Sequence, residues 1–251
     1  MIKVGITGQS GFVGTNLYNH LVNSDEYKII PFEDNYYDDK TILDNFTLQC
    51  DVIVHLAAVM RNSEPGYVYN TNMRLVNEII NSAERTGSKT GFLFASSIQE
   101  TGDSEYSRCK RDGAAVMEKW CKNNGTGFCK MVFPNLFGPF AKPNYSSFIA
   151  TFCYKLIHGE RPQIIVDNEI PLIYIGSLTE QIAGLIKTVN KKEIIPAFRF
   201  EPQYKIRVSE VLLILEKYKN CYINKGETPK MTSQIEKDLF ITFCSYIDYE
   251  L

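Results

Sequence analysis

Three glycines, spaced three residues apart, follow the first apolar run of the chain. Ile2–Thr7 is rich in apolar and β-branched residues, which predicts a strand, and a helix is predicted over Phe12–Leu21. Between them, Gly8 permits a tight turn, Gly11 lets the backbone approach a pyrophosphate, and Gly14 lets the helix pack closely on the sheet. The helix N-terminus then offers free N–H groups to the phosphates. This strand–turn–helix pattern predicts a dinucleotide site.

Apolar runs and helical patterns alternate through the first half of the chain. Continuous apolar runs such as Val52–Val54 suit strands that are buried on both faces, as in a parallel sheet covered by helices. The alternation predicts an α/β fold with a Rossmann-like doubly wound parallel sheet. Further strands are predicted at Tyr27–Phe32, Asp51–Leu56, Gly91–Ala95 and Gly127–Phe133, and further helices near Thr41–Thr47, Tyr69–Arg85 and Tyr106–Asn123.

After Pro134 the predicted loops become longer and richer in proline and asparagine. We expect residues 1–140 to form the Rossmann domain, with later segments returning to it, and residues 141–251 to form mainly a small C-terminal substrate-binding lobe. The tail over 235–251 keeps apolar residues, so we expect it to pack. Helices are predicted at Ser146–His158, Leu178–Lys187 and Val208–Tyr218, and short strands near Gln163–Val166 and Pro171–Ile175.

Composition excludes several classes of protein. With 44% hydrophobic residues and a formal net charge of −2, the chain is neither disordered nor marked by the basic face of a nucleic-acid-binding protein. It has no apolar stretch long enough for a membrane span and no signal-peptide pattern at its start, so we expect a cytoplasmic protein with no membrane partner. The seven cysteines form no C-x-x-C pair and the three histidines are scattered, so no metal site is predicted.

The end of the second predicted strand bears on which dinucleotide is bound. A carboxylate there accepts the ribose 2′-hydroxyl of NAD and repels the 2′-phosphate of NADP, which an arginine favours. The chain has Glu33 and Asp34 at this point, and no basic residue before Lys40. Glu33 therefore favours NAD, although Glu33 is also compatible with a solvated acid on a loop.

A Y-x-x-x-K motif, Tyr106 with Lys110, begins a helix just after the strand that carries Ser97. Residues four apart share a helix face, and a neighbouring Lys⁺ lowers the pKa of a phenol toward neutrality. Tyr106 can then exchange a proton with a substrate oxygen that Ser97 holds by a hydrogen bond. The motif is not rare by chance, since Tyr36 and Lys40 form a second copy. The position of the motif distinguishes the two copies, because only Tyr106 and Lys110 follow the carboxyl end of a strand, where ligands bind in such sheets.

These residues resemble the extended short-chain dehydrogenase/reductases that act on nucleotide sugars, over nearly the whole chain. The resemblance implies Ser97, Tyr106 and Lys110 as catalytic residues and NADP or NAD as cofactor. The matching residues are Gly8, Gly11, Gly14, His55-Leu56-Ala57-Ala58, Asn72, Ser97, Tyr106, Lys110 and Pro134-Asn135-Leu136-Phe137-Gly138-Pro139. The expected cofactor contacts are Gly8, Gly11, Phe12, Val13, Gly14, Glu33, Leu56, Ala57, Ala58, Tyr106, Lys110 and Pro134.

Three segments resemble, more narrowly, the reductase domain of capsular-polysaccharide enzymes that make the precursor of UDP-N-acetyl-L-fucosamine. In that family the reductase acts on a 4-keto-6-deoxy sugar nucleotide, usually with NADPH, and a cupin domain follows. The present chain ends where the cupin would begin, which implies a stand-alone reductase. The segments are Ser96-Ser97-Ile98-Gln99, Pro134-Asn135-Leu136-Phe137-Gly138, and Lys142-Pro143-Asn144-Tyr145 with Ile149–Lys155.

The chain departs from the family pattern at three places. Glu33-Asp34 replaces the basic residue typical of NADP enzymes, Val132 replaces an arginine, and Ile175-Gly176-Ser177 replaces Val-Asp-Asp. The first departure leaves the cofactor open, and the others leave nucleotide or sugar contacts open. The expected substrate contacts are Ser97, Gln99, Asn135, Lys142, Asn144 and Arg161, the last three being equally compatible with solvated loops.

Alternative activities remain. A dehydratase of this family needs an acid and a base directly after the catalytic hydroxyl residue, and Ile98 and Gln99 cannot serve. A 4-epimerase with retained NAD would use the same three residues, and a non-enzymatic dinucleotide-binding regulator could dispense with them. The resemblance also implies a homodimer through the helices at Tyr69–Arg85 and Tyr106–Asn123, where Ala114, Ala115 and Met117 could supply a close-packed face or belong to the core.

Overall fold

The computed structural model describes residues 1–248, so the last three residues of the predicted tail lie outside the described part. The elements follow one another as β1 (Ile2–Thr7), α1 (Phe12–Val22), β2 (Tyr27–Ile30), α2 (Lys40–Gln49), β3 (Val52–His55), α3 (Tyr67–Thr86), β4 (Gly91–Ser97), α4 (Glu105–Asn124), β5 (Phe128–Phe133), β6 (Asn135–Phe137), α5 (Phe148–Ile157), β7 (Glu169–Tyr174), α6 (Ile175–Asn190), β8 (Ile194–Arg199), β9 (Tyr204–Arg207), α7 (Val208–Tyr218) and α8 (Gln234–Cys244). Short 3-10 turns cover Asp34–Asp38 and Ile98–Thr101, and a π-helical turn covers Lys219–Asn224.

The chain divides into two compact units. The first unit comprises Met1–Phe133 with Thr179–Phe200, and the second comprises Pro134–Leu178 with the residues from Glu201 onward. The first unit holds a six-stranded parallel sheet in the order β2-β1-β3-β4-β5-β8. This parallel sheet with helices between its strands confirms the predicted α/β, Rossmann-like class.

The central strands of the first unit are apolar throughout because both of their faces are buried. All four residues of β3 are buried, and six of the seven residues of β4 are buried. β8 forms the edge of the sheet and is mostly half-buried or exposed, with Pro196 in its middle. Proline lacks the N–H that an inner strand must donate, so an edge position suits it.

The strand order places a switch point between β1 and β3. β1 pairs with β2 on one side and with β3 on the other, all in parallel. Ligands of open α/β sheets bind beyond the carboxyl ends of the strands at such a point. The turn that starts at Gly8 and the segment that starts at Leu56 follow these two strand ends.

The second unit holds a three-stranded sheet in which β7 pairs in parallel with β6 and antiparallel with β9. The strand predicted at Gln163–Val166 is wrong, since this segment is an irregular loop in which Ile165 is 95% exposed. Apolar side chains alone do not make a strand where no neighbouring strand is available to pair. The described part of the tail packs as predicted, because Leu239, Phe243 and Tyr246 are fully buried.

No helix in residues 1–248 is long and apolar enough to cross a membrane. Within the same residues, no cluster of three or more His, Cys, Asp or Glu side chains could hold a metal ion.

Candidate active site

The glycine turn after β1 is too crowded for side chains at two positions. Gly8 has φ +69°, and a Cβ on it would lie 2.8 Å from the backbone nitrogen of Ala57. A Cβ on Gly14 would overlap the carbonyl oxygen of Gly8. Gly11 is exposed, and a Cβ there would meet only Gly8 O, at 3.2 Å. The turn therefore presents bare backbone at the start of α1, which suits a pyrophosphate.

A cleft of about 380 Å³ adjoins this turn. The side-chain oxygen Oε1 of Gln9 is buried beside it without a hydrogen-bond partner in the described structure. Both carboxylates that follow β2 line the cleft, and none of its described lining residues is basic. The lining residues are Gln9, Ser10, Thr15, Tyr18, Phe32, Glu33 and Asp34. Phe12 and Val13 form the first turn of α1 and are half-buried.

A buried hydrogen-bond chain joins the ends of β1 and β3. Thr7 Oγ1 lies 3.0 Å from His55 Nδ1 and accepts a hydrogen bond from the Ala57 N–H at 3.3 Å. Tyr37 Oη lies 3.5 Å from the same His55 nitrogen. Burial, together with the charge of Lys110, lowers the pKa of His55 to about 3. The neutral imidazole thus fixes the Leu56-Ala57-Ala58 segment beside Gly8.

Lys110 is buried on α4 and bonds to the sheet. Its Nζ donates a hydrogen bond of 2.8 Å to Ala95 O in β4 and lies 5.3 Å from the centre of the Tyr106 ring. The same Nζ lies 5.1 Å from the centre of the Phe94 ring. Burial lowers the pKa of Lys110 to about 8. The motif thus places a desolvated cation against a tyrosine, as the spacing of four residues predicts.

Ser97 ends β4, and a short turn follows it directly. Its Oγ accepts a hydrogen bond of 3.2 Å from the Gln99 N–H. Gln99 and Tyr106 both line a second cleft, of about 300 Å³, together with residues of the 60–65 loop. Ser97, Gln99, Tyr106 and Lys110 therefore all belong to the first unit, and two of them open onto this cleft.

The predicted substrate residues after β5 belong to the second unit. Pro134 is buried, while Asn135 is exposed and its Nδ2 donates a hydrogen bond of 3.2 Å to Pro171 O. Lys142 and Asn144 are exposed on the loop before α5, and Arg161 is exposed on the loop after it.

The sequence matches the NAD dependent epimerase/dehydratase family over residues 4–192. The chain belongs to this family. Its NAD(P) cofactor agrees with the dinucleotide site predicted from the glycine turn.

Similar proteins include a UDP-2-acetamido-2,6-beta-L-arabino-hexul-4-ose reductase from Pseudomonas aeruginosa, 29% identical over 247 residues. The match covers 98% of this chain and 65% of that relative, so the chain spans less than two thirds of its length. The crystal structure of the capsular polysaccharide assembling protein CapF from Staphylococcus aureus is also similar. It has 29% identity and a TM-score of 0.78, with 99% of this chain and 67% of that chain covered.

RMD from Pseudomonas aeruginosa, whose structure is a complex with NADPH, shares the fold. Its identity is 16% and its TM-score 0.79, and the match covers 99% of this chain and 100% of that one.

Two polar residues of this family member were not among the predicted site residues. Asn72 Oδ1 accepts a hydrogen bond from the Val59 N–H, and its Nδ2 donates to Val59 O, both at 2.8 Å. Nδ2 also approaches Cys109 Sγ at 3.3 Å, which ties the segment after β3 to helix α4. Asn72 matched the family pattern, but its hydrogen bonds are made to the backbone of Val59, thirteen residues away. Sequence spacing alone does not reveal this contact.

Glu100 is the second such residue, with only 5% of its surface exposed. Its Oε2 accepts a hydrogen bond of 2.6 Å from Ser96 Oγ, and its Oε1 lies 3.2 Å from Lys130 Nζ and 3.5 Å from an Arg199 nitrogen. Arg111 donates hydrogen bonds to the carbonyl oxygens of Glu100 and Gly102. The turn that follows Ser97 is therefore tied to strands β4, β5 and β8.

Proposed function

We propose that the protein is an NAD(P)H-dependent reductase of a UDP- or dTDP-linked 4-keto-6-deoxy sugar, acting in the synthesis of a surface polysaccharide such as capsule or O-antigen. The proposal rests on the pairing of the buried Lys110 with Tyr106 on α4, the helix that follows Ser97. A proton donor, a cation beside it and a hydroxyl group are what a carbonyl reduction needs. The reductase name of the Pseudomonas relative and the polysaccharide name of CapF support the substrate class.

The first unit fits a dinucleotide by its own geometry. Gly8 and Gly14 leave no room for side chains. Gln9 lines the adjoining cleft, and its buried Oε1 has no hydrogen-bond partner among the described residues. We expect the backbone of the turn from Gly8 to Gly14 to receive the pyrophosphate at Gly11, and Leu56, Ala57 and Ala58 to line the cofactor path. When bound, the reduced cofactor supplies the hydride.

Residues of the chain orient the carbonyl group and donate the proton. Ser97 Oγ donates a hydrogen bond to the carbonyl oxygen and so orients it. Tyr106 gives its phenolic proton to that oxygen as the carbon receives the hydride, which leaves an alcohol and a phenolate. The Lys110 ammonium stabilises the phenolate electrostatically. Gln99 and Asn135 are expected to contact the substrate, Asn135 near the nicotinamide. Lys142, Asn144 and Arg161 are expected to contact its diphosphate or sugar.

The acidic cleft favours NADH over NADPH. Glu33 and Asp34 line it, and a carboxylate accepts the ribose 2′-hydroxyl but repels a 2′-phosphate. RMD, the structural neighbour with NADPH, shares only 16% of its sequence with this chain and therefore does not bear on this choice.

We also place the protein in the cytoplasm as a homodimer formed through α3 and α4. Of the residues considered for a close-packed face, Ala114 and Met117 are buried in the core of the first unit and cannot contribute. Ala115 and Val116 are exposed on α4, and Tyr69 Oη on α3 donates a hydrogen bond of 2.8 Å to Asp112 on the same surface. Sedimentation of the purified protein tests the dimer.

The activity is tested by incubating pure protein with a 4-keto-6-deoxy sugar nucleotide and either reduced cofactor. Stoichiometric loss of the reduced-nicotinamide absorbance is expected, faster with NADH. No loss of absorbance with any such substrate would refute the reductase.

A 4-epimerase is the second candidate, which the acidic NAD-type cleft favours. It would interconvert sugar nucleotides without consuming added cofactor and would purify with NAD bound.

A further inference from the structure

A bulky aromatic residue adopts a left-handed backbone conformation in the loop before α5. Phe140 has φ +69°, and the other non-glycine residues with positive φ among residues 1–248 are Asn144 and Lys192. Asparagine tolerates this region well, whereas a bulky residue there is an outlier that surrounding structure must enforce. Such strain is found at functional sites more than elsewhere.

Three contacts within the second unit hold this loop. The backbone of Gly138 packs against Ile175 so closely that a Cβ would overlap that side chain. Tyr246 Oη donates a hydrogen bond of 2.6 Å to the carbonyl oxygen of the buried Ala141. The Asn144 N–H donates one of 2.9 Å to Thr151 Oγ1. The anchored backbone therefore enforces the unfavourable conformation of Phe140.

The strained conformation does not bury the Phe140 side chain. Phe140 stays 52% exposed, while the nearby Gly138 and Ala141 are buried. Lys142 and Asn144 are also exposed, alternating with the buried Ala141 and Pro143. The loop thus presents an aromatic ring, a cation and an amide from alternate positions. Stacking and charge together match a nucleoside diphosphate, whose base stacks on aromatic faces and whose phosphates attract lysine.

We propose that Phe140 is the stacking platform for the base of the nucleoside diphosphate, with Lys142 beside it for the phosphates. This inference rests on the proposed function, since it specifies how the nucleotide-sugar substrate is held. It names a recognition residue that the motifs did not single out.

Calorimetric titration with UDP tests the platform without requiring turnover. Phe140→Gly removes the ring and suits φ +69°, so this variant is expected to fold normally and to bind UDP about ten-fold more weakly. Phe140→Tyr keeps a ring and is expected to bind within about two-fold of wild type. Lys192→Gly is the matched control, because it relieves the same backbone strain at an exposed turn of the first unit and should leave UDP affinity unchanged.

Thermal melting separates the effect of the aromatic ring on binding from the effect of backbone strain on stability. Phe140→Ala keeps a side chain in the strained region and is expected to melt below Phe140→Gly, yet both should lose UDP affinity equally. Equal UDP affinity of Phe140→Gly and wild type would overturn the inference and leave the reductase proposal standing. A wild-type chain that binds neither UDP nor dTDP would overturn both.

Discussion

The Lys110 ammonium lies 5.3 Å from the centre of the Tyr106 ring, and it is buried while the tyrosine is only half-buried. A buried cation is costly, and here burial lowers its pKa to about 8. The ammonium is held in place by the Ala95 carbonyl oxygen, which accepts its hydrogen bond. The fold therefore keeps an unfavourable charge next to the phenol that the proposed reaction uses.

Replacing Lys110 is expected to stabilise the protein while abolishing turnover. Its pKa falls from 10.5 to about 8 on folding, so between these values the unfolded chain binds the extra proton and stability rises with pH. Below about pH 8 the buried Lys110 charge costs the folded state roughly 3 kcal/mol. Replacing the lysine removes this cost but also loses its hydrogen bond, which is worth about 1 kcal/mol. Lys110→Met should therefore raise the unfolding free energy by about 2 kcal/mol at pH 7, and the gain should vanish near pH 10.

Denaturant unfolding at several pH values measures this gain, with Lys122→Met as the control. Lys122 lies on the same helix and pairs with Glu118, but its side chain is 55% exposed. It should show little change at any pH. A Lys110→Met protein that is less stable than wild type at pH 7 would contradict the electrostatic account.

Tyr106→Phe is expected to lower kcat by about 10²- to 10⁴-fold, because the phenylalanine has no proton to give. Folding should be retained. Tyr36→Phe is the matched control, since Tyr36 and Lys40 form the second copy of the motif, ahead of β3. Steady-state kinetics compare the two variants. Comparable losses in both, or retained turnover in Tyr106→Phe, would remove Tyr106 from its proposed role.

The geometry of the glycine turn and of the Y-x-x-x-K motif could be predicted because each depends on residues close in sequence. Gly8 and Gly14 meet within one turn, and Tyr106 and Lys110 share one helix face. The edge strand β8 was not predicted because Pro196 interrupts its apolar residues, and proline is unfavourable in an inner strand.

Long-range pairing explains the other differences. Glu100 acquires its role from Lys130 and Arg199, which are 30 and 99 residues away, and no local pattern joins them. Ile165 and Val166 predicted a strand by residue type, yet both are exposed on an irregular loop. Phe140 reads as an ordinary apolar residue until its backbone conformation is known.

Neutralising the acidic cleft is expected to shift the cofactor preference toward NADPH. Each carboxylate near the 2′-phosphate costs on the order of 1 kcal/mol in a solvated site, so Glu33→Gln with Asp34→Asn together should raise relative kcat/KM for NADPH about thirty-fold. Asp25→Asn is the control, an exposed acid at the other end of β2. An unchanged ratio of NADH to NADPH kcat/KM in the double variant would show that these acids do not select the cofactor.

Glu100→Gln is expected to loosen the turn that follows Ser97. The amide can still accept from Ser96 Oγ, but it loses the charge that balances Lys130 and Arg199. We expect the unfolding free energy to fall by about 1–3 kcal/mol, and kcat to fall while the cofactor KM is kept. Glu118→Gln breaks an ion pair whose lysine is 55% exposed and should cost less than about 0.5 kcal/mol. If Glu100→Gln matched wild type in both stability and kcat, the carboxylate would not be positioning Ser97.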